Sequence, residues 1–444
     1  MIVTTRFAPS PTGRLHVGNL RAALHNWLFA RQQDGKFLLR IDDTDVERSE
    51  ERFVEAIRDD LRWLGIDWDG EERQSARSGD YDARFEALRT AGRVYPCYET
   101  PQELDLKRKV LLGRGLPPVY DRSALALTDA ARAELEASGV RPHWRFKLDR
   151  DAPIVWDDLI RGTQRFDPKL MSDPVVRRAD GSWLYLLPSV IDDIDLGISH
   201  VVRGEDHVSN TAAQVQMFEA LGASQPCFAH EALLTGGEGK LSKRLGATDV
   251  DHWRETGVEP LALAAKLARI GTSLPVEPVA SLAPMIERFD FGTFGRAPAR
   301  FDEAELARLN AQTIHLLGYD QVADRLPVGM GEAAWDAIRP NLERVTDAAD
   351  WWGVVEGPIN AEVSDEDRDY LTAAVEAARA VDWSTDPWHG LTATLKESTG
   401  RKGKPLFLPL RRALTGRDHG PDMAALLPLI GRERAIERLA AANG

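Results

Sequence analysis

The chain has 444 residues, 43% of them hydrophobic and 28% charged, with a formal net charge of −14. That length suits about two to four domains. The composition excludes a helical membrane span, since no apolar run approaches ~18 residues, and a disulfide framework, since Cys97 and Cys227 are the only cysteines and fit a reducing compartment. It also excludes a grip on nucleic acid by bulk positive charge.

Ile2-Val-Thr-Thr-Arg-Phe7 is rich in β-branched and aromatic residues and predicts a strand from residue 2, with no signal peptide ahead of it. Pro9 and Pro11 remove backbone donors and end it. Leu20, Ala23, Leu24, Trp27 and Leu28 then fall on one helical face. Arg6-Phe-Ala-Pro-Ser-Pro-Thr-Gly-Arg-Leu-His-Val-Gly-Asn19 therefore predicts strand, tight loop and helix N-terminus. Free N–H groups and the helix dipole favour a phosphate there, Gly13 and Gly18 let it approach the backbone, and His16 adds a donor. The dipole contributes only about 0.3–1 kcal/mol at an exposed site, so a reacting triphosphate needs cations from elsewhere, for which Lys240 and Lys243 are the candidates. Taken alone, the stretch reads equally well as a βα turn stiffened by two prolines.

Phe37-Leu-Leu-Arg-Ile41 predicts a buried parallel strand with Asp42-Asp-Thr-Asp45 at its carboxyl end, where open α/β sheets bind ligands. Those carboxylates suit a metal, or equally helix capping and loop polarity. Ser49 is the expected cap of a helix carrying Phe53, Ile57, Leu61 and Leu64 and stopped by Gly65. The β-α-β-α order makes a doubly wound α/β sheet the economical fold. Residues 93–178 interrupt the alternation with Pro117-Pro118 and a charged helix over 129–138. The fold resumes over Trp183–Asp193, Ile198–Val202 and Arg203-Gly-Glu-Asp-His207. Arg6 and Arg203 offer planar forks for carboxylates at two strand ends, or else they are structural partners of Asp192, Asp193 or Glu205.

Downstream, Thr235-Gly-Gly-Glu-Gly239 leads into Lys240-Leu-Ser-Lys-Arg244. This is not a Walker P-loop, because Leu241 stands where Ser or Thr is required and Leu234 where the first Gly belongs. Beyond Asp249 the texture is helical, over 261–270, 304–317, 321–325, 335–339, 365–381 and 431–442, with no strand-like alternation. Lys107-Arg108-Lys109 with Arg114, Arg401-Lys402-Gly-Lys404 and Arg411-Arg412 are either nucleic-acid contacts or solvated surface runs.

Together, PSPTG…HVGN and KLSKR resemble the two ATP-binding motifs of class I aminoacyl-tRNA synthetases, HIGH and KMSKS, and from Arg6 to the last helix the chain resembles the bacterial glutamyl-tRNA synthetases. The resemblance implies a Rossmann-like doubly wound parallel sheet in two halves, 1–92 and 179–248, around an acceptor-end-binding insertion, 93–178. An all-α C-terminal half would follow, with a stem-contact domain over 249–325 and an anticodon-binding domain over 326–444. It implies a cytoplasmic monomer that joins L-glutamate to tRNA(Glu), with tRNA(Gln) alone or in addition as the alternative. ATP would be the co-substrate, with Mg²⁺ on its phosphates.

The resemblance assigns catalysis to His16, Lys240 and Lys243. ATP binding falls to Ser10, Thr12, Gly13, His16, Gly18, Asn19, Ser242 and Lys243, and glutamate binding to Arg6, Ala8, Ser10, Asp42, Tyr185 and Arg203. The KLSKR loop would close over the phosphates. Asp42 stands where the family usually has Glu, one methylene longer. Contact with the substrate ammonium would need a shifted strand end or a bridging water. Some members carry zinc in the insertion; here Cys97 has no second Cys or His nearby in sequence, and a tetrahedral site needs four ligands, so no zinc is expected. A non-catalytic relative would show decayed motif lysines or loop glycines, and the shorter glutamyl-queuosine tRNA synthetases lack the helical half. This chain has both features intact.

Overall fold

The structure is a computed structural model describing residues 2–236 and 249–442, with the backbone of 239–240. In chain order its first elements are β1 (Thr4–Phe7), α1 (Val17–Gln32), β2 (Lys36–Ile41), α2 (Glu51–Trp63), β3 (Gly70–Arg73), α3 (Ser78–Thr90), β4 (Val94–Cys97), α4 (Pro101–Gly113), α5 (Asp129–Ala137), β5 (His143–Phe146), β6 (Ile154–Asp158), β7 (Gly162–Phe166) and β8 (Val175–Arg177). There follow α6 (Leu186–Asp195), β9 (His200–Gly204), α7 (Val208–Ala220), β10 (Cys227–Glu231), β11 (Leu234–Gly236), β12 (Gly239–Lys240) and β13 (Ala299–Arg300).

β1 pairs parallel with β2 and β2 with β3, while β10 pairs parallel with both β9 and β6 and β7 closes that edge antiparallel. The Ser199 N–H, just ahead of β9, donates to the Thr4 carbonyl of β1 at 2.9 Å and brings the two sets side by side. The order is then β3-β2-β1-β9-β10-β6-β7. Progression runs outward in one direction from β1 and in the other from β9, so the topological switch lies between them. Such sheets bind ligands off the carboxyl ends of the strands at that point. Helix α1 packs on β1 and β2, and its Leu20, Leu24 and Leu28 are fully buried, as are Phe37 and Leu39 of β2. Each side chain of that kind contributes about 1.5–3 kcal/mol by leaving water.

The departures from the sequence reading have local causes. Ser49 does not cap α2: its N–H closes a turn onto the Asp45 carbonyl, its hydroxyl is buried without a partner, and Glu50 takes the cap position with no side-chain bond. Gly65 does end that helix, at φ +80°, in the left-handed region that glycine adopts without strain. The fold resumes after Trp183 with the helix α6, where Leu187, Val190 and Ile191 are buried at helical spacing. Within 93–178, β4, β5 and β8 form a separate antiparallel sheet, whereas β6 belongs to the main sheet, so insertion and sheet interleave along the chain.

Beyond residue 249 the strand-free expectation fails at β13, which pairs parallel with β11. The stretch 321–325 holds 3₁₀ turns rather than an α-helix.

The chain divides into two compact units, one of 1–253, 264–277 and 281–302 and one of 254–263, 278–280 and 303–444. The second is helical. Glu303–Ile314, Glu332–Ile338, Arg368–Ala380, Pro387–Thr399, Lys404–Thr415 and Arg432–Ala441 are among its helices, and its core includes Trp335, Leu371, Leu395, Leu410 and Leu439. Of the basic runs, Lys107 pairs with Asp121, Lys109 with Asp105, Arg401 with Asp367 and Arg412 with Asp418. Among the described residues no helix is long and apolar enough to cross a membrane.

Candidate active site

The switch point opens into a cavity of about 640 Å³. Arg6 near the end of β1, Ala8, Ser10, Thr12, Gly13, His16, Gly18 and Asn19 of the following loop and helix, Tyr185 ahead of α6 and Arg203 near the end of β9 all line it. Thus ten of the residues singled out from sequence share one wall.

His16 is the N-cap of α1. Its Nδ1 accepts from the Gly18 N–H at 3.1 Å, while the Asn19 side chain accepts from the His16 N–H at 3.3 Å. With Nδ1 occupied as an acceptor, the ring proton sits on Nε2, which is left as a donor. Burial pushes the His16 pKa down, against an opposing pull from Asp249, so the ring is neutral near pH 7. A Cβ on Gly18 would stand 2.9 Å from the His16 ring, so the bare backbone there is what lets the imidazole fold over the helix end. Helix α1 is fixed in place by Glu231 of β10, which accepts from Arg21 Nε at 3.0 Å and contacts His25 Nδ1 at 2.5 Å. Burial would raise the Glu231 pKa, but His25 and Arg21 outweigh it and hold it at about 2.

The two arginines differ in their partners. Arg6 donates its Nε–H to Asp193 at 3.0 Å, so Asp193 is one of the structural competitors that does engage its arginine. Arg203 has none of the three. Asp192 is held by Gln74, Arg77 and Tyr81, and Glu205 by Arg161 and the Leu233 N–H. Arg203 is only 7% exposed and donates to Tyr185 Oη at 3.0 Å, Thr211 Oγ1 at 2.6 Å, Gln214 Oε1 at 2.7 Å and His230 Nε2 at 3.3 Å. All four acceptors are neutral, and among the described residues no carboxylate pairs with it. Burial pushes its pKa below the ordinary arginine value. A buried cation without a counter-charge is costly, and an anionic ligand relieves the cost. His207, also on the wall, is driven to about 4 by burial and by the neighbouring positive charges of Arg203 and Arg6, so it adds no charge.

Asp42 is not brought to this wall. Its carboxylate accepts from Arg40 Nε at 2.7 Å and Nη2 at 3.2 Å, and it is 4% exposed. Residues two apart at a strand end point the same way, which puts Arg40 in reach. Burial lifts the Asp42 pKa to about 6, against the pull of Arg40. Ser242, Lys243 and the Lys240 side chain lie outside the described residues. The described flanks of their segment are both at the cavity: Lys240 pairs by backbone with Thr235, next to the lining residue Leu234, and Asp249 bridges to His16.

Cys97 does have a histidine close by in space. Sequence distance hid His143, which β4–β5 pairing sets opposite Cys97, and Glu99 joins them with ligand atoms within 4.8 Å of one another. These three do not complete a structural site. Among the described residues no fourth donor joins them, Glu99 already accepts from Tyr120 Oη at 2.7 Å, and burial pushes the Cys97 thiol up to about 11. The residues that sequence reasoning missed are those beneath Arg203, namely Thr211, Gln214, His230 and Asp158. Thr211 and Gln214 stand three apart on one helix face, but nothing local tells which arginine that face meets.

Residues 2–307 match the catalytic domain of the class I tRNA synthetases (E and Q), and residues 331–443 match an anticodon binding domain. Glutamate--tRNA ligase 1 of Rhizorhabdus wittichii is 66% identical over 441 residues, covering 99% of this chain and 100% of the relative. Glutamate--tRNA ligase 2 of Sphingopyxis alaskensis is 67% identical over 445 residues, covering 100% of both. A glutamate tRNA ligase from Elizabethkingia meningosepticum, crystallised in complex with its amino acid, superposes with a TM-score of 0.85 at 28% identity, over 100% of this chain and 99% of that one. The chain belongs to the class I tRNA synthetases of the E and Q group.

Proposed function

We propose that this chain ligates L-glutamate to tRNA at the expense of ATP, releasing AMP and pyrophosphate. The observation that carries the reading is Arg203, a buried guanidinium with only neutral partners, in the same cavity as Arg6 and a helix N-terminus. A dicarboxylic amino acid supplies the missing negative charge, and a triphosphate suits the end of α1.

In the first step an oxygen of the substrate α-carboxylate forms a bond to the α-phosphorus, the bond from that phosphorus to the bridging oxygen breaks, and pyrophosphate leaves. The tRNA terminal 2′-hydroxyl then attacks the activated carbonyl, and AMP departs. Little covalent help is needed, so positioning and stabilisation of developing charge carry the rate. His16 donates from Nε2 toward the phosphates, Ser10, Thr12, Gly13, Gly18 and Asn19 line the nucleotide side, and Lys240, Ser242 and Lys243 face the leaving group. Arg6, Ala8, Ser10, Tyr185 and Arg203 hold glutamate. Asp42 acts on its ammonium only through a water or a shift away from Arg40.

Among the described residues two carboxylates line the cavity: Glu231 is engaged by Arg21 and His25, and Asp206 lies beside His207. That is no cage for a divalent cation, so Mg²⁺ enters on the ATP phosphates. With three donors at Cys97, metal analysis of the purified protein is expected to find no bound zinc. One zinc per chain surviving dialysis against a weak chelator would reverse this.

The reaction belongs to the cytoplasm, where tRNA and ATP meet, and to a monomer. The acceptor end goes to 93–178, the stem to 249–325 and the anticodon to 326–444, and the match of 331–443 to an anticodon binding domain supports the last. Purified tRNA(Glu) and tRNA(Gln), charged side by side with labelled glutamate, provide the test. Label is expected on tRNA(Glu). Label on both makes the enzyme non-discriminating, and label on tRNA(Gln) alone removes the tRNA(Glu) assignment.

A further inference from the structure

The neutrality of the shell around Arg203 is built from several elements. Thr211 and Gln214, 0% and 2% exposed, come from α7, His230 from β10 and Tyr185 from the residue ahead of α6. His230 is in turn held by Asp158 of β6, which accepts from its Nδ1 and also, at 3.2 Å, from its backbone N–H. Because Nδ1–H is given to Asp158, Nε2 carries the lone pair that faces the Arg203 Nε–H. The carboxylate behind this shell, Asp158, thus stands one imidazole away from the guanidinium with a neutral ring between, and Asp193, whose charge also reaches Arg203, is bonded to Arg6 and Arg40 instead. Four of the five guanidinium N–H bonds have protein acceptors, which fixes the plane of the fork, and none of those acceptors is a carboxylate.

We infer that Gln214, Thr211 and the Asp158–His230 pair are positioning residues that orient Arg203 while withholding a protein counter-charge, so that an anionic substrate side chain is required over its amide. This deepens the proposed glutamate reading and rests on it. A site that leaves a buried charge unpaired rejects the uncharged analogue because the penalty of the unpaired group falls on that complex alone. A shell that held its own carboxylate would bind acid and amide nearly alike.

Gln214→Glu tests this with almost no change of shape, since it puts a carboxylate oxygen where Oε1 now sits, 2.7 Å from Arg203 Nη2. The expected result is a rise of about 100-fold in KM for glutamate, with KM for ATP within about twofold, a smaller preference for glutamate over glutamine, and an unfolding temperature of the free enzyme no lower than wild type. Gln214→Met, which removes the acceptor and adds no charge, should raise KM for glutamate only about threefold to tenfold.

The inference is overturned if Gln214→Glu leaves KM for glutamate within threefold of wild type, if KM for ATP rises in step, or if Gln214→Met is as damaging as the charged variant. Loss of cooperative unfolding in Gln214→Glu would also overturn it, because a carboxylate beside an unpaired guanidinium should stabilise the free protein. A wild-type enzyme that fails to activate glutamate at all would instead refute the functional reading beneath it, and that is read from the wild type alone.

Discussion

Arg203→Ala is expected to raise KM for glutamate by about 10²–10³-fold while KM for ATP changes by less than about threefold. Truncating one member of a buried, hydrogen-bonded charge pair costs roughly 2–5 kcal/mol, and about 1.4 kcal/mol is tenfold in affinity. Arg203 qualifies because it is buried and has no carboxylate partner among the described residues, so the ion pair formed on binding is not replacing one already present. Arg6 is the internal contrast: it already donates to Asp193, so part of its charge is answered before any ligand arrives. Arg203→Lys should fall between wild type and the alanine variant, since it keeps the cation and loses the planar fork that Tyr185, Thr211, Gln214 and His230 orient. Steady-state aminoacylation with glutamate and ATP varied separately gives both constants. Losses of equal size in the two would mean that Arg203 supports the cavity as a whole rather than one substrate.

The amount of this site that was legible in the sequence follows the range of the interactions that build it. The loop from Arg6 to Asn19 could be read because every feature is local: prolines that end a strand, a helical stripe starting at Leu20, and a glycine beside a histidine at the helix end. The sheet was legible as alternation, although α6 was not, because Leu187, Val190 and Ile191 sit in a short apolar run that either element could carry. What the sequence could not reveal is pairing. That Asp193 goes to Arg6, Asp192 to Arg77 and Glu205 to Arg161 depends on contacts over roughly a hundred residues or more for the first two and 44 for the third. Only after those assignments does Arg203 stand out from the other described arginines at the cavity, since Arg6, Arg14 and Arg21 each have a carboxylate partner. The same holds for His143 beside Cys97, a neighbour through β-pairing and not through spacing. In the helical half the runs read from sequence did not include Ala348–Glu356, Pro387–Thr399 or Met423–Ile430, which the structure shows as helices.

Lys243→Ala should cut the rate of ATP–pyrophosphate exchange, measured with tRNA present, by about 10²–10³-fold, the scale for removing one positioned donor at a centre where charge develops. As the bond to pyrophosphate breaks, negative charge accumulates on the leaving oxygens; on the described wall beside α1, Arg14 is paired with Asp251, Arg21 with Glu231 and the His16 imidazole is neutral near pH 7, which leaves the helix end that His16 caps. A dipole worth about 0.3–1 kcal/mol cannot answer that charge, so a side-chain cation must. The Lys240 backbone pairs with Thr235 beside the lining residue Leu234. Because the interaction grows as the leaving group separates, the loss should fall on kcat, with KM for ATP changed far less. Lys243→Arg, which keeps the charge on a longer and differently shaped head, should recover part of the rate. Exchange at the wild-type rate in Lys243→Ala would take Lys243 out of the mechanism and leave Lys240 as the cation in its place.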